Sequence, residues 1–279
     1  MDVSESKLKE LNLYEKFQES KIPIDTLQKI MSDYSSNLPT YERQASELAS
    51  FISTFSYVHL THWRVKKEES LLEKIIRKTI DERANNVRGR SITPSNYKIQ
   101  ITDLIGIRVL HVFKSDYLAV HNQIYDIFEP QLRETVHVNL RVGDSEDMYK
   151  EIKNKVKFNY NQEYRSIHYL IGRNGDYGAR EEIQVRTIYE EAWSEMNHRL
   201  VYKAELSETA GLVKSASQNL SALTGSCDTL GELMTNISEH GRSIIKEIVP
   251  SFTSMNNDEK NLLDTNKIEI IDIVEDLLK

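Results

Sequence analysis

The chain reads as an α+β protein, a sheet flanked by helices with further helical extensions at both ends. Three observations predict this. Only 10 glycines and 5 prolines interrupt 279 residues, which favours long helices. Apolar residues recur at three- and four-residue spacing up to Ile80 and again from Ile188. Between these stretches lie short runs rich in Ile and Val, some alternating apolar with polar. The order is not the regular βαβ alternation of a dinucleotide fold. Neither G-x-G-x-x-G nor G-x-x-x-x-G-K-[ST] occurs.

The elements follow in order. Residues 1–38 read as two short helical pieces, broken near Pro23 and Pro39. Leu48, Phe51, Ile52, Phe55 and Val58 predict a helix from Tyr41 to His62, which would carry His59 and His62. No third ligand stands near those two imidazoles, so they read as ordinary polar positions. Leu71, Leu72, Ile75, Ile76 and Ile80 predict the next helix. Ile101–Phe113 reads as a strand and Tyr117–Phe128 as a helix stopped by Pro130. Val136–Val142 sets His137, Asn139 and Arg141 against Val138, Leu140 and Val142, the pattern of a half-buried strand. Ser145–Lys155 looks helical. Ser166–Gly172 and Glu181–Arg186 read as strands joined by a turn at Asn174-Gly175-Asp176. Thr187–Lys203 is a helix, with Ile188, Ala192, Met196 and Leu200 on one stripe. A long stripe follows through Leu212, Ala216, Leu223, Leu230, Met234, Ile237, Ile244 and Ile248. Beyond Pro250 a polar linker leads to an acidic amphipathic tail with Ile270, Ile271, Val274, Leu277 and Leu278. The divisions are thus an N-terminal helical extension over 1–40, a central domain over 41–204 and a C-terminal helical region over 205–279. The last is expected to pack on the central domain, to make a homo-oligomer, or to receive an antitoxin or regulatory partner.

Composition sets limits. Hydrophobic residues are 39% and charged residues 28%, which predicts a packed globular core. No apolar run approaches a membrane span, and MDVSESKLKEL lacks a signal-peptide core. The single cysteine, Cys227, allows no internal disulfide, so a cytoplasmic setting is expected. A net charge of −7 argues against a general nucleic-acid coat protein. A local phosphate pocket remains open. Arg64, Lys66, Lys67, Lys74, Arg77 and Lys78 fall in one stretch, followed by Arg83, Arg88 and Arg90.

Five segments carry residues suited to chemistry. Tyr164, Ser166 and His168 share one strand face, a polar row that is either a ligand surface or a wet sheet face. Glu182, Gln184 and Arg186 repeat that logic, as a metal or base position beside a phosphate clamp or as a cross-strand charge pair. Arg108 sits among Ile107, Val109 and Leu110, where its charge needs a phosphate or a buried acid. Strict alternation puts Asp103 on the other face, so either Asp103 precedes the regular strand or Gly106 marks a bulge. Arg64, Lys66, Ser70 and Lys74 offer a guanidinium fork, point charges and a neutral donor for phosphate oxygens, or simply a solvated basic helix. His198 and Tyr202 share a helix face, and Trp193 reads as core.

Taken together and in this order, R-V-K-K-E-E-S from Arg64, D-L-I-G-I-R from Asp103, Y-R-S-I-H from Tyr164, E-I-Q-V-R-T from Glu182 and W-S-E-M-N-H-R-L-V-Y-K from Trp193 resemble the synthetase domain of the RelA/SpoT alarmone synthetases. The resemblance runs from about Tyr41 to Lys203. It implies a nucleotidyltransferase-like fold with a mixed, mostly antiparallel sheet. It also implies Mg²⁺, ATP as donor, GDP or GTP as acceptor, and AMP and (p)ppGpp as products. Carried over by motif, Arg64, Lys66, Ser70, Lys74 and Arg108 would hold the ATP phosphates. Asp103 and Glu182 would hold the metal, and Glu182 would activate the 3′-hydroxyl. Tyr164 would stack on the acceptor base, with His168 and Lys203 near the acceptor phosphates. Ser166, Gln184, Arg186 and His198 would complete the acceptor side. Small bacterial members often carry Gly where this chain has Glu163, and some carry Asn where it has Glu191. The hydrolase histidine-aspartate motif of long members is missing, as in a synthetase-only protein. Two other functions compete with this one. A toxic relative would pyrophosphorylate the 3′ end of tRNA, with Lys150, Lys153, Lys155 and Lys157 as a basic path or merely a solvated helix. A non-catalytic nucleotide-sensing module is the other, and the intact Asp103 and Glu182 count against it.

Overall fold

A computed structural model of the chain describes residues 2–84, 91–142, 144–161, 164–173, 175, 178–204 and 209–253, with backbone alone at 148, 153, 154, 201–204 and 242–253. Two units divide the chain, Met1–Gly225 and Ser226–Lys279. The first begins with α1 (Glu5–Glu10), α2 (Tyr14–Ser20) and α3 (Ile24–Ile52). There follow β1 (Leu60–Val65), α4 (Glu68–Ala84), α5 (Tyr97–Gln100), β2 (Ile105–His111) and α6 (Asp116–Phe128). Then come β3 (Val136–Arg141), a 3-10 segment (Asp147–Lys155), β4 (Val156–Asn161), β5 (Ser166–Ile171), β6 (Glu181–Thr187) and α7 (Ile188–Ala204). The helix α8 (Ala210–Thr253) starts in the first unit, and the described part of the second unit is its continuation.

The sheet is mixed, in the order β1-β2-β6-β5-β3-β4. The pairs β1–β2, β6–β5 and β5–β3 are antiparallel, and β2–β6 and β3–β4 are parallel. One face is the core. Ile105, Ile107, Val109, Ile183, Val185, Ile167, Tyr169, Val136 and Val138 are all buried there. Burial of such side chains contributes roughly 25 cal/mol per Å² of apolar surface, which fixes the strand registers.

Three expectations about local structure change. The helix α3 runs unbroken through Pro39. Its buried stripe Leu27, Ile30, Tyr34, Tyr41, Ala45, Leu48 and Ile52 continues on both sides of the proline. That packing offsets the ~3 kcal/mol a proline costs inside a helix. Second, the helix ends at Ile52, and His62 lies on β1, with the His59 amide bonded to the Leu110 carbonyl at 2.8 Å. Third, Val156–Asn161 is an edge strand, so Lys157 belongs to the sheet and not to a basic helix. Ser145–Lys155 is largely a 3-10 segment, where Lys150 pairs with Asp147 at 2.8 Å and Lys155 sits over the Tyr125 ring at 4.5 Å. Gly175 has φ +76°, the left-handed conformation expected of its turn.

A titratable histidine–tyrosine pair lies in the core. His121 Nδ1 meets the Tyr169 hydroxyl at 2.7 Å, and both residues are buried. Burial, helped by the Lys155 charge, lowers the imidazole from 6.5 to about 4. The unfolded chain therefore binds the proton first as pH falls. Stability is complete above 6.5 and drops by about 3 kcal/mol on the way down to about 4. Urea midpoints across that window should show the slope in the wild type and lose much of it in His121→Asn.

Among the described residues no helix is long and apolar enough to cross a membrane. On α8, Leu212, Leu223, Leu230, Met234 and Ile237 are exposed. Ile244 and Ile248 have no described side chains, and the tail from Ile270 lies outside the described residues.

Candidate active site

The polar face of the sheet is assembled by register. One line of paired residues runs His62–Arg108–Gln184–His168–His137–Lys157 across β1, β2, β6, β5, β3 and β4. The next line runs Arg64–Gly106–Glu182–Leu170. Side chains two residues apart share a face, which adds Arg186, Ser166, Asn139 and Asn159. Gly106 leaves room for the Arg64 side chain to lie across the strand, 3.5 Å from where a Cβ would stand.

At the β1–β2 end a carboxylate sits among cations. Asp103 precedes β2, which settles its placement without a bulge, since the register runs unbroken through Gly106. Its two oxygens meet Lys66 Nζ and Lys74 Nζ, both at 2.8 Å. Burial alone would raise the Asp103 carboxyl. The two ammonium groups outweigh it and hold the acid below its ordinary range. Burial, with the charges of Lys74 and Arg64, holds Lys66 below the usual lysine value despite Asp103 beside it. Ser70 is exposed one turn before Lys74 on α4.

At the centre stands Glu182. His168 Nδ1 lies 3.4 Å from one of its oxygens, and the Gln184 amide donates to the other at 2.7 Å. Burial would raise its carboxyl, but the His168 and Gln184 contacts win and lower it. The negative charge of Asp103 opposes them, so the two acids sense each other. The His168 ring also bonds Ser166 Oγ at 2.7 Å through Nε2. Tyr164 is fixed just before β5 by Asn161, whose side chain accepts its amide at 2.7 Å and donates to its carbonyl at 2.9 Å. The tyrosine ring stands 6.5 Å from the His168 ring.

Arg108 has acids as partners in this structure. Its Nη1 donates to Glu191 at 2.6 Å and also to Glu195, both on α7. Glu191 lies 3.4 Å from the buried Arg186, which also donates to Gln184. His198 is exposed on α7 close enough for Glu195 to feel its charge. The Lys203 side chain lies outside the described residues, as does Glu163.

Other residues on this surface are not singled out as site residues by the sequence. Glu191 and Glu195 are invisible as partners because they lie 83 and 87 residues from Arg108. Arg165 is gripped by Asp144 at 2.6 and 2.7 Å and by the buried Glu190 at 3.1 Å; Glu190 also takes Arg141. Arg141 reaches the Ser221 carbonyl of α8, and Trp193, buried as expected, donates to the Ser217 carbonyl at 2.9 Å. The Asn159 amide nitrogen lies 2.8 Å from His137 Nδ1, so Nε2 is the ring nitrogen outside that contact. The period-two alternation of β3 places His137 on a polar face. Only the pairing with β5 puts that face beside His168.

Residues 63–207 match the family model described as the region found in RelA / SpoT proteins. The chain belongs to the RelA/SpoT family. Among curated proteins it is similar to the GTP pyrophosphokinase YwaC of Bacillus subtilis (strain 168). The two are 26% identical over 195 residues, or 64% of this chain and 80% of that one. Among solved structures it is similar in fold to a GTP pyrophosphokinase family protein from Streptococcus pneumoniae. That likeness has a TM-score of 0.51 at 20% identity and covers 75% of this chain and 96% of the other. The family region starts within β1 and ends beyond α7, so it contains the other five strands and leaves α1–α3 and α8 outside it.

Proposed function

We propose that the chain is a pyrophosphokinase that moves the β,γ-diphosphate of ATP onto the 3′-hydroxyl of GDP or GTP, releasing AMP and giving (p)ppGpp. One observation carries this reading. Glu182 stands between a cationic cluster around Asp103 and a face presenting Tyr164 and His168. Family membership and the name of the Bacillus relative support it.

The chemistry follows from the placement. Arg64, Lys66 and Lys74, with Ser70 and Arg108, bind and orient the donor triphosphate and neutralise the oxygens that shield its β-phosphorus. Glu182, ionised at neutral pH, accepts the proton of the 3′-hydroxyl. The ribose oxygen bonds to the β-phosphorus as the bond from that phosphorus to the α,β-bridging oxygen breaks, and AMP leaves. Tyr164 offers a flat surface to the purine. Asp103 and Glu182, hard-oxygen donors whose carboxyls are held below their ordinary range and which sense each other's charge, would hold Mg²⁺. When bound, the ion would supply charge neutralisation for the transferred diphosphate.

Two polyphosphates repel, so the acceptor's 5′-phosphates run away from the donor cluster, past His168 toward β3 and β4. His137 Nε2 and the exposed Lys157 stand there in register. Arg141 and Arg165 are already held by Glu190 and Asp144. Replacing Lys157 with alanine should raise KM for GTP by about tenfold, the loss of one phosphate contact of ~1.4 kcal/mol, and leave KM for ATP unchanged. Steady-state kinetics with each nucleotide varied in turn checks this.

Mass analysis of the products formed from ATP with GDP, GTP or deacylated tRNA tests the function. A guanine nucleotide gaining a diphosphate, with AMP in equal amount, is expected. Transfer to RNA alone would overturn the assignment, as would release of free pyrophosphate without an acceptor product.

A further inference from the structure

We propose that Tyr34, on a helix outside the family region, is a positioning residue that holds Lys66 in register with Asp103. Tyr34 is fully buried on α3, and its hydroxyl donates to the main-chain carbonyl of Lys66. The Lys66 amide in turn donates to the Leu104 carbonyl at 2.9 Å, and its ammonium reaches Asp103 at 2.8 Å. Lys66 is thus held at three points, one of them from α3.

The neighbours of Tyr34 extend the grip. Asp33 accepts from the Tyr97 hydroxyl at 2.6 Å and from Lys98 at 2.9 Å. Ser35 donates to the Glu68 carboxylate in the first turn of α4. Three successive residues of α3 therefore reach two segments, 66–68 and 97–98, the first of which carries Lys66. A phenylalanine would fill the space of Tyr34 equally well. A buried hydroxyl is tolerated because it has a partner, and its partner is the backbone of a site residue. Burial, then the charges of Tyr41 and Asp103, push that hydroxyl up, so it stays a donor throughout the working range.

The inference rests on the reading of Lys66 as a donor-phosphate ligand. Without the Tyr34 hydroxyl the junction between β1 and α4 loses one anchor. A misplaced ammonium then costs rate, at up to about a hundredfold per ångström.

The test is a double-mutant cycle with Tyr34→Phe and Lys66→Met in the full chain, reading kcat, KM for each nucleotide, and Tm. Tyr34→Phe alone should lower kcat about tenfold, with KM for the acceptor unchanged and Tm within a few degrees of wild type. In the Lys66→Met background the same change should cost less than about twofold, because the group it positions is gone. An equal loss in both backgrounds, or no loss in Tyr34→Phe, would overturn the positioning role while the donor site stands. A Lys66→Met enzyme as active as wild type would instead remove the donor-site reading, and this inference with it.

Discussion

Glu182→Gln should lower kcat by about 10³-fold, with little change in Tm. Glutamine keeps the size of the side chain and its contact with Gln184, so the sheet face stays assembled. It cannot take a proton, and a positioned general base is worth roughly 10² to 10⁴ in rate. The pH dependence gives a second readout. The His168 and Gln184 contacts hold the Glu182 carboxyl below its ordinary value against the pull of burial. As the base, Glu182 should therefore stay active down through mild acid, and kcat should fall only as pH passes below the usual glutamate range near ~4.3. Single-turnover rates across that range, with circular dichroism of the variant, check both statements. A Glu182→Gln enzyme within tenfold of wild type would show that this carboxylate is not the base.

Asp103→Asn is expected to lower kcat by roughly 10² to 10³-fold and to destabilise the fold as well. Its two oxygens are taken by Lys66 and Lys74 at 2.8 Å, with only 14% of the Lys66 and 18% of the Asp103 side chain exposed. Removing the acid leaves two like charges facing each other. Breaking a buried pair costs about 3–5 kcal/mol, and partial exposure here reduces that to about 2 kcal/mol. ATP binding should partly restore the loss, since the triphosphate brings negative charge to the same ammonium groups. Thermal melts with and without ATP read this directly. The combination separates Asp103 from Glu182, whose replacement affects rate and leaves stability nearly intact.

The parts of the fold legible in the sequence are those where one face is buried. Ile105, Ile107 and Val109 against Gly106 and Arg108, and Ile183 and Val185 against Glu182 and Gln184, alternate because β2 and β6 are central strands. The strands β1 and β4 escaped because they are the sheet edges. Each has a single pairing partner and exposes Leu60, Trp63 or Tyr160, so no clean period of two survives. Pro39 misled for the opposite reason: a local breaker lost to a long buried stripe.

The site divides in the same way. Arg64, Arg108, His168, Glu182, Gln184 and Arg186 lie on one polar face of the sheet, but which of them touch is a matter of tertiary register. Arg108 needed a partner, and the sequence left phosphate and acid equally open. The acids that answer are on α7, which no local pattern places beside β2. Tyr34 belongs to none of the motifs, and its proposed role depends on a hydroxyl meeting a carbonyl 32 residues away.

The arrangement of donor cations, Glu182 and acceptor shelf is tested most directly by a crystal structure with Mg²⁺, a non-hydrolysable ATP analogue and GDP bound together. The expected result places the analogue's phosphates on Lys66 and Lys74, the GDP base on Tyr164, and the 3′-oxygen within hydrogen-bond reach of Glu182 and in line with the β-phosphorus. A complex with GDP bound away from the Tyr164–His168 face, or with its 3′-oxygen remote from Glu182, would contradict it.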